Sequence, residues 1–382
     1  MIFTSEFPLL DHHCHGVIAQ PLERERFEDL ATESSLPPAV GTSHLDSPLG
    51  LMIRRWCAPI LDLEPHPSNE DYLARRRALD PAEVNRRFLR AAGLSGLLLD
   101  TGYRSADILG PAEMAKAAGV PAHEVVRLET VAEATLAAGG DAAGYPAAFR
   151  DRLTSEAEDA VGLKTIIAYR IGFDFDQRAP SEAEVVEAAG RVSGEGKGAA
   201  ARLLDPVLLR HCLWTGIELA RERGLPLQVH AGYGDPDLTL HLTNPSLLTP
   251  LFRSTAGSGV NVVLLHCYPY QREAAYLAAV FPHVYLDVGL AINYTGPSSA
   301  RIIAESMELA PFSKVLYSSD AFGLAELFYL GALLFRTGLG ATLDGWIRDD
   351  HCSPAEAERI ARLVATDNAA RIYPLPQLTL DL

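Results

Sequence analysis

Short apolar runs alternate with helix-prone segments along most of this 382-residue chain. Each run has the length of a buried strand, and most are followed by an Ala-, Glu- and Arg-rich segment typical of a helix. The eight strand candidates are FPLLDHH (7–13), GLLLDTGY (96–103), HEVVRLET (123–130), AVGLKTIIAYR (160–170), LPLQVHAGYG (225–234), VNVVLLHCY (260–268), HVYLDVGL (283–290) and KVLYSSDAF (314–322). Eight βα units favour an α/β fold that closes into a (β/α)8 TIM barrel. A doubly wound open sheet is less favoured, because the first turn lacks the GxGxxG of a dinucleotide site.

The chain is longer than a simple barrel, which needs about 250 residues. The surplus falls mainly after strand 1, in a helical insertion at about 17–92, and after strand 4, at about 171–205. Within the first insertion, Asp80 and Pro81 predict the start of a helix. Both insertions follow the carboxyl ends of strands, where barrels carry their active sites. We therefore expect one barrel domain over residues 1–382, with insertions at its mouth.

Composition narrows the class of partner. A formal net charge of −16 argues against binding to nucleic acid or to anionic membranes. The five cysteines are odd in number and widely spaced, with no CxxC pair, so they indicate neither a disulfide framework nor a cysteine zinc site. No signal peptide and no long apolar run is recognised, which favours a cytoplasmic protein. We expect a small-molecule substrate, and a homo-oligomer is possible.

Histidines and one aspartate stand at the ends of several strand candidates. They are His13 and His15 on strand 1, His230 on strand 5, His266 on strand 6 and Asp320 on strand 8. The carboxyl ends of parallel barrel strands meet at one face, so we expect these side chains to converge. Residues two apart on a strand share a face, which turns His13 and His15 inward and predicts that His12 and Cys14 face away. Imidazoles with a carboxylate suit zinc or another divalent first-row metal.

This set of residues resembles the amidohydrolase superfamily of metal-dependent barrels. The closing segment RIARLVATDNAARIYPL (359–375) is similar to the C-terminal helix of its amidohydrolase-2 branch. The phrases GLKTIIAYR and ELFYLGA resemble the members of that branch associated with glutamine-synthetase-like domains. The resemblance implies a metal-dependent hydrolase that cleaves an amide (a C–N bond other than a peptide bond) or a related acyl bond. The sequence contains no glutamine-synthetase domain, so that activity is not implied.

Roles follow from this chemistry and from the resemblance. One or two divalent ions, zinc being the expected metal, would be held by His13, His15 and His230 or His266, and would lower the pKa of a bound water towards ~7. Asp320 is expected to bind the ion, to accept the proton of the water and to act as general acid for the leaving group. His266 or His230 is expected to assist. Two alternatives stay open, namely metal-dependent non-oxidative decarboxylation and a non-catalytic metal-binding barrel.

Strand 4 bears on the number of ions. In many two-metal members of the superfamily a strand-4 lysine is carbamylated and bridges the metals, and Lys164 is a ligand candidate on that condition. The alternative is a buried lysine paired with a carboxylate. Alternation places Lys164 and Arg170 on one face, where Arg170 could clamp a substrate carboxylate. A surface salt bridge is the other interpretation of Arg170.

Further candidates lie around the predicted mouth. Arg127 and Glu129 are expected on one face of strand 3, as a site pair or as an ion pair at the bottom of the barrel. The rim candidates are Asp100 and Tyr103 after strand 2, and Asn293 and Tyr294 after strand 7.

Overall fold

A computed structural model describes residues 7–104, 106–194 and 202–376 of the chain. Seven parallel strands form one sheet, in which the spatial order equals the order in the sequence. The strands are β1 (Leu9–Cys14), β2 (Leu94–Asp100), β3 (Ala122–Arg127), β4 (Gly162–Thr165), β5 (Leu227–Ala231), β6 (Val262–His266) and β7 (Val284–Leu286). A parallel sheet in sequence order is what repeated right-handed βα units produce.

The eighth strand candidate closes the sheet into a ring. Residues 315–321 run between β7 and β1 as an extended segment with few ladder hydrogen bonds. On one side the Leu316 amide donates to the Leu286 carbonyl at 2.9 Å. On the other side the Asp320 amide donates to the His13 carbonyl at 3.1 Å. The predicted (β/α)8 TIM barrel is therefore confirmed, and its last strand is the most irregular one.

Helices surround the ring. Those in the described part of the chain are α1 (Arg24–Leu30), α2 (Pro48–Met52), α3 (Asn69–Arg77), α4 (Pro81–Ala91), α5 (Pro111–Ala118), α6 (Leu128–Ala138), α7 (Tyr145–Glu156), α8 (Glu182–Gly194), α9 (Pro206–Arg223), α10 (Thr249–Thr255), α11 (Gln271–Val280), α12 (Gly289–Thr295), α13 (Ser299–Ser306), α14 (Ala325–Arg348), α15 (Pro354–Arg362) and α16 (Asn368–Ile372). Over the described ranges, no helix has the length and apolar character needed to span a membrane. Helices α1–α4 lie between β1 and β2, so the predicted insertion after strand 1 is helical.

The insertion shows how local sequence sets an element and how the element docks. Helix α4 begins where it was predicted, because the Asp80 carboxylate accepts a hydrogen bond from the Ala82 amide at 2.9 Å and Pro81 occupies the first turn. Helix α3 is fixed to the barrel by a buried ion pair, in which Arg76 Nε donates to Glu326 Oε1 of α14 at 2.7 Å. The insertion is thus tied to the rest of the molecule by charge as well as by packing.

Apolar side chains fill the amino-terminal end of the barrel. Every second residue of the strands points into the ring, and these residues form a separate buried cluster that the C-terminal residues close from below. Its members are Leu10, Leu98, Val125, Val161, Val263, Leu265, Tyr285, Leu316, Ala369, Ile372 and Tyr373. The polar strand ends therefore stand on a packed floor, with solvent access from the opposite mouth.

Two strands end earlier than the sequence pattern predicts. Strand β3 ends at Arg127, and Glu129 already lies in helix α6. Strand β4 ends at Thr165, and Arg170 follows a single 3-10 turn. The alternation predicted for Arg127 with Glu129, and for residue 164 with Arg170, is therefore wrong. The physical reason is that a short barrel strand turns at the mouth, beyond which the twofold period no longer applies.

Candidate active site

Strand β1 supplies two histidines to the site through an irregular register. Its pairing with β2 shifts between Asp11 and Cys14, and such a shift interrupts the alternation of faces. His13 and His15 reach the mouth, whereas His12 was wrongly predicted to face away. His12 points into the ring, where its Nδ1 lies 3.0 Å from the hydroxyl of Tyr373 in the interior cluster. Cys14 does pack outward, in the apolar layer between sheet and helices.

Hydrogen bonds fix which nitrogen of each β1 histidine is free. Gln228 Nε2 donates to the His12 carbonyl at 2.7 Å, so Gln228 Oε1 is the oxygen that faces His13 Nδ1 at 2.9 Å. His15 Nδ1 lies 2.9 Å from the Asp100 carbonyl oxygen. Both carbonyl oxygens accept only, so both Nδ1 atoms carry the proton. The Nε2 atoms of His13 and His15 are left as lone pairs.

These lone pairs face a carboxylate. Asp320 Oδ1 lies 3.0 Å from His13 Nε2 and 3.6 Å from His15 Nε2. Asp320 Oδ2 lies 3.5 Å from His266 Nε2. Acceptors this close repel one another unless a cation lies between or beside them. The donor set thus fits a divalent metal ion, and two groups of possible ligands share His13, one with His15 and Asp100 and one with His266 and Asp320.

The histidines of β5 and β6 add further unsatisfied nitrogens. His230 Nε2 and His266 Nδ1 are buried and have no hydrogen-bond partner among the described residues. Their rings are 4.6 Å apart between centroids. Buried polar atoms without a partner are uncommon in folded proteins and call for a ligand or another explanation. These two nitrogens are therefore free to bind an ion or a substrate.

The backbone is strained where the site is built. His266 has φ 69° and Asp320 has φ 48°, a left-handed conformation that residues other than glycine seldom adopt. Leu265, which directly precedes His266 on β6, belongs to the interior cluster, so regular alternation would turn His266 away from the ring. The unusual φ accompanies its inward position. Strain of this kind collects at functional sites.

The protonation states are those that metal ligands require. Burial, with the Lys164 charge as a second cause, lowers the pKa of His13 to about 3. Burial also lowers the pKa of His230 and of His266. Burial alone would raise the pKa of Asp320, but positive charge beside it, such as a proton on His266 or His13, holds that pKa well below its usual range. At neutral pH the imidazoles are neutral and the carboxylate is ionised.

Lys164 reaches the mouth and also has a carboxylate partner. Its Nζ lies 3.0 Å from His13 Nε2 and 3.7 Å from Asp100 Oδ2. Asp100 is shared with Arg127, whose Nη2 is 2.6 Å from the same oxygen. Burial lowers the pKa of Lys164, an effect that Asp100 opposes. The buried ion pair foreseen as the alternative is present, and carbamylation of Lys164 stays a prediction.

A cavity of about 830 Å³ lies above these groups. His15, Lys164, His230, His266 and Asp320 form part of its wall. The helical insertion supplies another part, which includes Glu33. This volume is within the range of small-molecule sites.

Arg170 lines the same cavity in a conformation that combines both interpretations of its role. Its Nη2 donates to Glu133 Oε1 at 2.9 Å. The pair is not a solvent-exposed one, because the Arg170 side chain is only 10 % exposed. Its Nε is buried and has no hydrogen-bond partner among the described residues. One donor of the guanidinium is thus left for a ligand.

The rim candidates separate into two groups. Tyr103 and Tyr294 line the cavity, and Asp100 is buried in the pair with Arg127. Asn293 instead donates to the Ser319 carbonyl, within the closing segment 315–321, at 3.2 Å. Glu129, in α6, is not part of the cavity wall.

Sequence reasoning missed three residues of the site. Gln228 stands two residues before His230 on β5, so the same alternation could have found it. Asp287 follows directly on β7, and its Oδ2 lies 2.9 Å from His12 Nε2. Like the other strand-end residues, Asp287 is a polar residue that directly follows an apolar run. Glu33 lies in an irregular loop, where no periodic signal exists.

Comparison with known proteins agrees with this architecture. The family model described as Amidohydrolase matches residues 104–375, more than two thirds of the chain. The chain belongs to the amidohydrolase family. A protein thought to be a metal-dependent hydrolase, from Lactobacillus casei, has a crystal structure with a TM-score of 0.82 at 29% identity, covering 97% of this chain and 96% of that one.

Two further comparisons are more distant or partial. Protein fluG of Emericella nidulans is 27% identical over 400 residues, which cover 96% of this chain and 46% of fluG. The chain thus spans about half the length of that relative. A uronate isomerase from Thermotoga maritima has a TM-score of 0.63 at 12% identity, covering 97% of this chain and 95% of that one, and shows the shared fold alone.

Proposed function

We propose that this amidohydrolase is a zinc-dependent enzyme that cleaves an amide or related acyl bond of a small polar substrate. The observation that carries the proposal is the convergence of bare nitrogens on one carboxylate. His13 and His15 each present an unprotonated Nε2 to Asp320, at 3.0 and 3.6 Å. Such an arrangement of acceptors is costly without a cation, and it lies at the floor of a cavity large enough for a small molecule.

The residues that would hold the ion are those whose side chains converge at the mouth of the barrel. They are His13, His15, Asp320, and His266 or His230. When bound, a divalent ion acidifies a coordinated water and polarises the carbonyl under attack. The number of ions stays open. The Lys164 ammonium pairs with the Asp100 carboxylate at 3.7 Å, which favours one ion with an unmodified lysine over a carbamate that bridges two.

The chain's own groups supply proton transfer and orientation. Asp320, whose side chain is 12 % exposed, would accept a proton from the attacking water and return it to the leaving nitrogen. Gln228 keeps the proton on His13 Nδ1. Arg170, whose Nε has no hydrogen-bond partner among the described residues, would bind a substrate carboxylate.

The direct test is hydrolysis of a panel of small carboxylate-bearing amides by zinc-loaded protein, read as ammonium or amine release. Asp320→Asn should lower kcat by at least about 10²-fold, the usual contribution of a positioned acid–base group. Asp29→Asn, an exposed acid on the cavity wall, serves as a control and should keep turnover. Full activity of Asp320→Asn would remove the proposed proton carrier. Release of CO₂ in place of amine would assign decarboxylation to the site.

A further inference from the structure

The wall of the cavity carries groups of both charges. Arg170 follows β4, and it lies within electrostatic range of the Asp235 carboxylate, which is also a neighbour of Glu33. Glu33 belongs to the insertion after β1, and it neighbours Tyr294, which follows β7. Both Glu33 and Arg170 line the cavity. A small molecule that fills the space therefore meets both a cation and an acid.

Neither Arg170 nor Glu33 has its full set of polar partners among the described residues. Arg170 Nε is buried and unpartnered among the described residues, on a side chain that is 10 % exposed. Its other donor is taken by Glu133. Glu33 is in no ion pair with a described basic residue. The polar groups that interact with it are the Tyr294 hydroxyl and the acids Asp320 and Asp235. An acid among acids and tyrosines is suited to an incoming ammonium group.

We propose that the enzyme selects substrates with a zwitterionic head group, whose carboxylate binds Arg170 and whose ammonium binds Glu33. This inference rests on the proposed amide hydrolysis, since the head group is the part of the substrate remote from the scissile bond. The reactive end of the substrate then lies over Asp320. The assigned substrate class is the side-chain amides of α-amino acids.

The electrostatic environment of Glu33 also favours a bound cation. Burial, with Asp320 as a second cause, raises the pKa of Glu33 to about 7. A cation bound beside Glu33 would relieve the repulsion that the nearby acids cause. Asp235 contributes to the same negative region, and its own pKa is raised by burial.

Binding can be measured apart from turnover with sulfone analogues, which no hydrolase of amides can cleave. The zwitterionic probe is L-methionine sulfone. The probe without the ammonium is 4-(methylsulfonyl)butanoic acid, and the probe without the carboxylate is 3-(methylsulfonyl)propan-1-amine. Calorimetry on zinc-loaded protein should give a dissociation constant at least about tenfold lower for the zwitterion than for either truncated probe, as expected for one charged hydrogen bond each.

Variants should divide this preference between the two residues. Glu33→Gln should weaken the two ammonium-bearing probes about tenfold and leave the butanoic acid unchanged. Arg170→Gln should do the opposite, weakening the two carboxylate-bearing probes. Two control variants should keep the wild-type pattern: Asp29→Asn, and Glu356→Gln, at an exposed acid of α15 outside the cavity. Thermal melting of each variant checks that it is folded.

The outcomes separate the two proposals. Equal affinity of wild-type protein for the three probes, absence of binding, or an unchanged preference in both variants overturns zwitterion selection. In parallel, ammonium release is assayed with L-glutamine and L-asparagine, and with glutaramic acid and 4-aminobutanamide as truncated amides. The predicted binding pattern without any cleavage overturns hydrolysis alone. Cleavage of the truncated amides as fast as that of the amino-acid amides overturns zwitterion selection alone.

Discussion

Gln228 holds the site together at the scale of single residues. Its Oε1 accepts a hydrogen bond from His13 Nδ1 at 2.9 Å. Its Nε2 donates to the His12 carbonyl and to the Tyr373 hydroxyl at 2.7 and 2.9 Å. The floor of the barrel thus sets the tautomer of a proposed ligand. Partners of this kind, which orient a ligating histidine, influence metal affinity nearly as strongly as the ligands.

Gln228→Leu should therefore weaken zinc binding by about 10- to 100-fold, because His13 loses the acceptor that keeps its Nε2 free. Competition with a chromophoric chelator measures the change. Gln271→Leu is the matched control, since Gln271 is a buried glutamine of α11 that binds Glu305 outside the cavity. Zinc affinity that is equal in Gln228→Leu and wild type contradicts the role assigned to Gln228.

Individual residues of the site were predictable where they end a regular strand. His230 and Asp100 follow the alternation of their strands, and both point into the ring. His12 was misplaced because the register shift in β1 has no counterpart in the sequence pattern. His266 points inward with a left-handed φ of 69°, which alternation does not anticipate. Glu33 depends on the folded path of a loop, which periodicity does not describe.

At the scale of elements, the insertion depends on one buried charge pair. Glu326 of α14 is fully buried and accepts from Arg76 Nε at 2.7 Å and from the Tyr72 hydroxyl at 3.1 Å, both on α3. Removing one member of such a pair leaves the other charged and without compensation in the interior. The position of the cavity wall supplied by the insertion follows from this attachment.

Glu326→Ala should lower the free energy of unfolding by about 3–5 kcal/mol, since the Arg76 charge then stays buried and unpaired. Urea unfolding followed by circular dichroism measures the loss. Glu356→Ala, which breaks an exposed pair with Arg359 on α15, should have a much smaller effect. Comparable losses in the two variants would show that burial does not set the strength of the attachment.

The outer helices contain a titratable group away from the site. His211 of α9 packs against the rings of Tyr145 and Phe149 of α7, at 6.1 and 5.6 Å between centroids. Burial lowers the pKa of His211 from 6.5 to about 4. The unfolded chain takes up this proton first as pH falls, so the stability contributed by neutral His211 is complete above pH 6.5 and is lost towards pH 4.

His211→Gln should therefore reduce the loss of stability between pH 6.5 and pH 4 relative to wild type. Urea midpoints across this range give the comparison. His351→Gln, at an exposed histidine, should keep the wild-type slope. An identical slope in His211→Gln and wild type is the result that this assignment does not allow.

Elements were easier to predict than their ends. Seven apolar runs became strands, and Asp80 with Pro81 marked the start of α4, because buried β-strands and capped helices depend on local sequence. Strand ends at the mouth were missed, as at Glu129 and Arg170. There the chain leaves the sheet under the demands of tertiary packing, and the apolar run continues into a helix or a 3-10 turn.

At the scale of the whole molecule, closure of the ring brings together what the sequence separates. The segment 315–321 joins β7 to β1, and so places Asp320 beside His13, more than three hundred residues earlier in the chain. The interior cluster fills one end of the barrel, which leaves the other end for the cavity. The central claim is that this closure builds a divalent metal site at the mouth.

Anomalous diffraction from zinc-loaded crystals, recorded on both sides of the zinc absorption edge, tests that claim most directly. We predict one strong anomalous peak bounded by the Nε2 atoms of His13 and His15 and by the Asp320 carboxylate, with His266 or His230 completing the ligands. A second peak beside Lys164 would decide for two ions. Zinc bound elsewhere, or no peak between these side chains in zinc-loaded protein, would contradict the account.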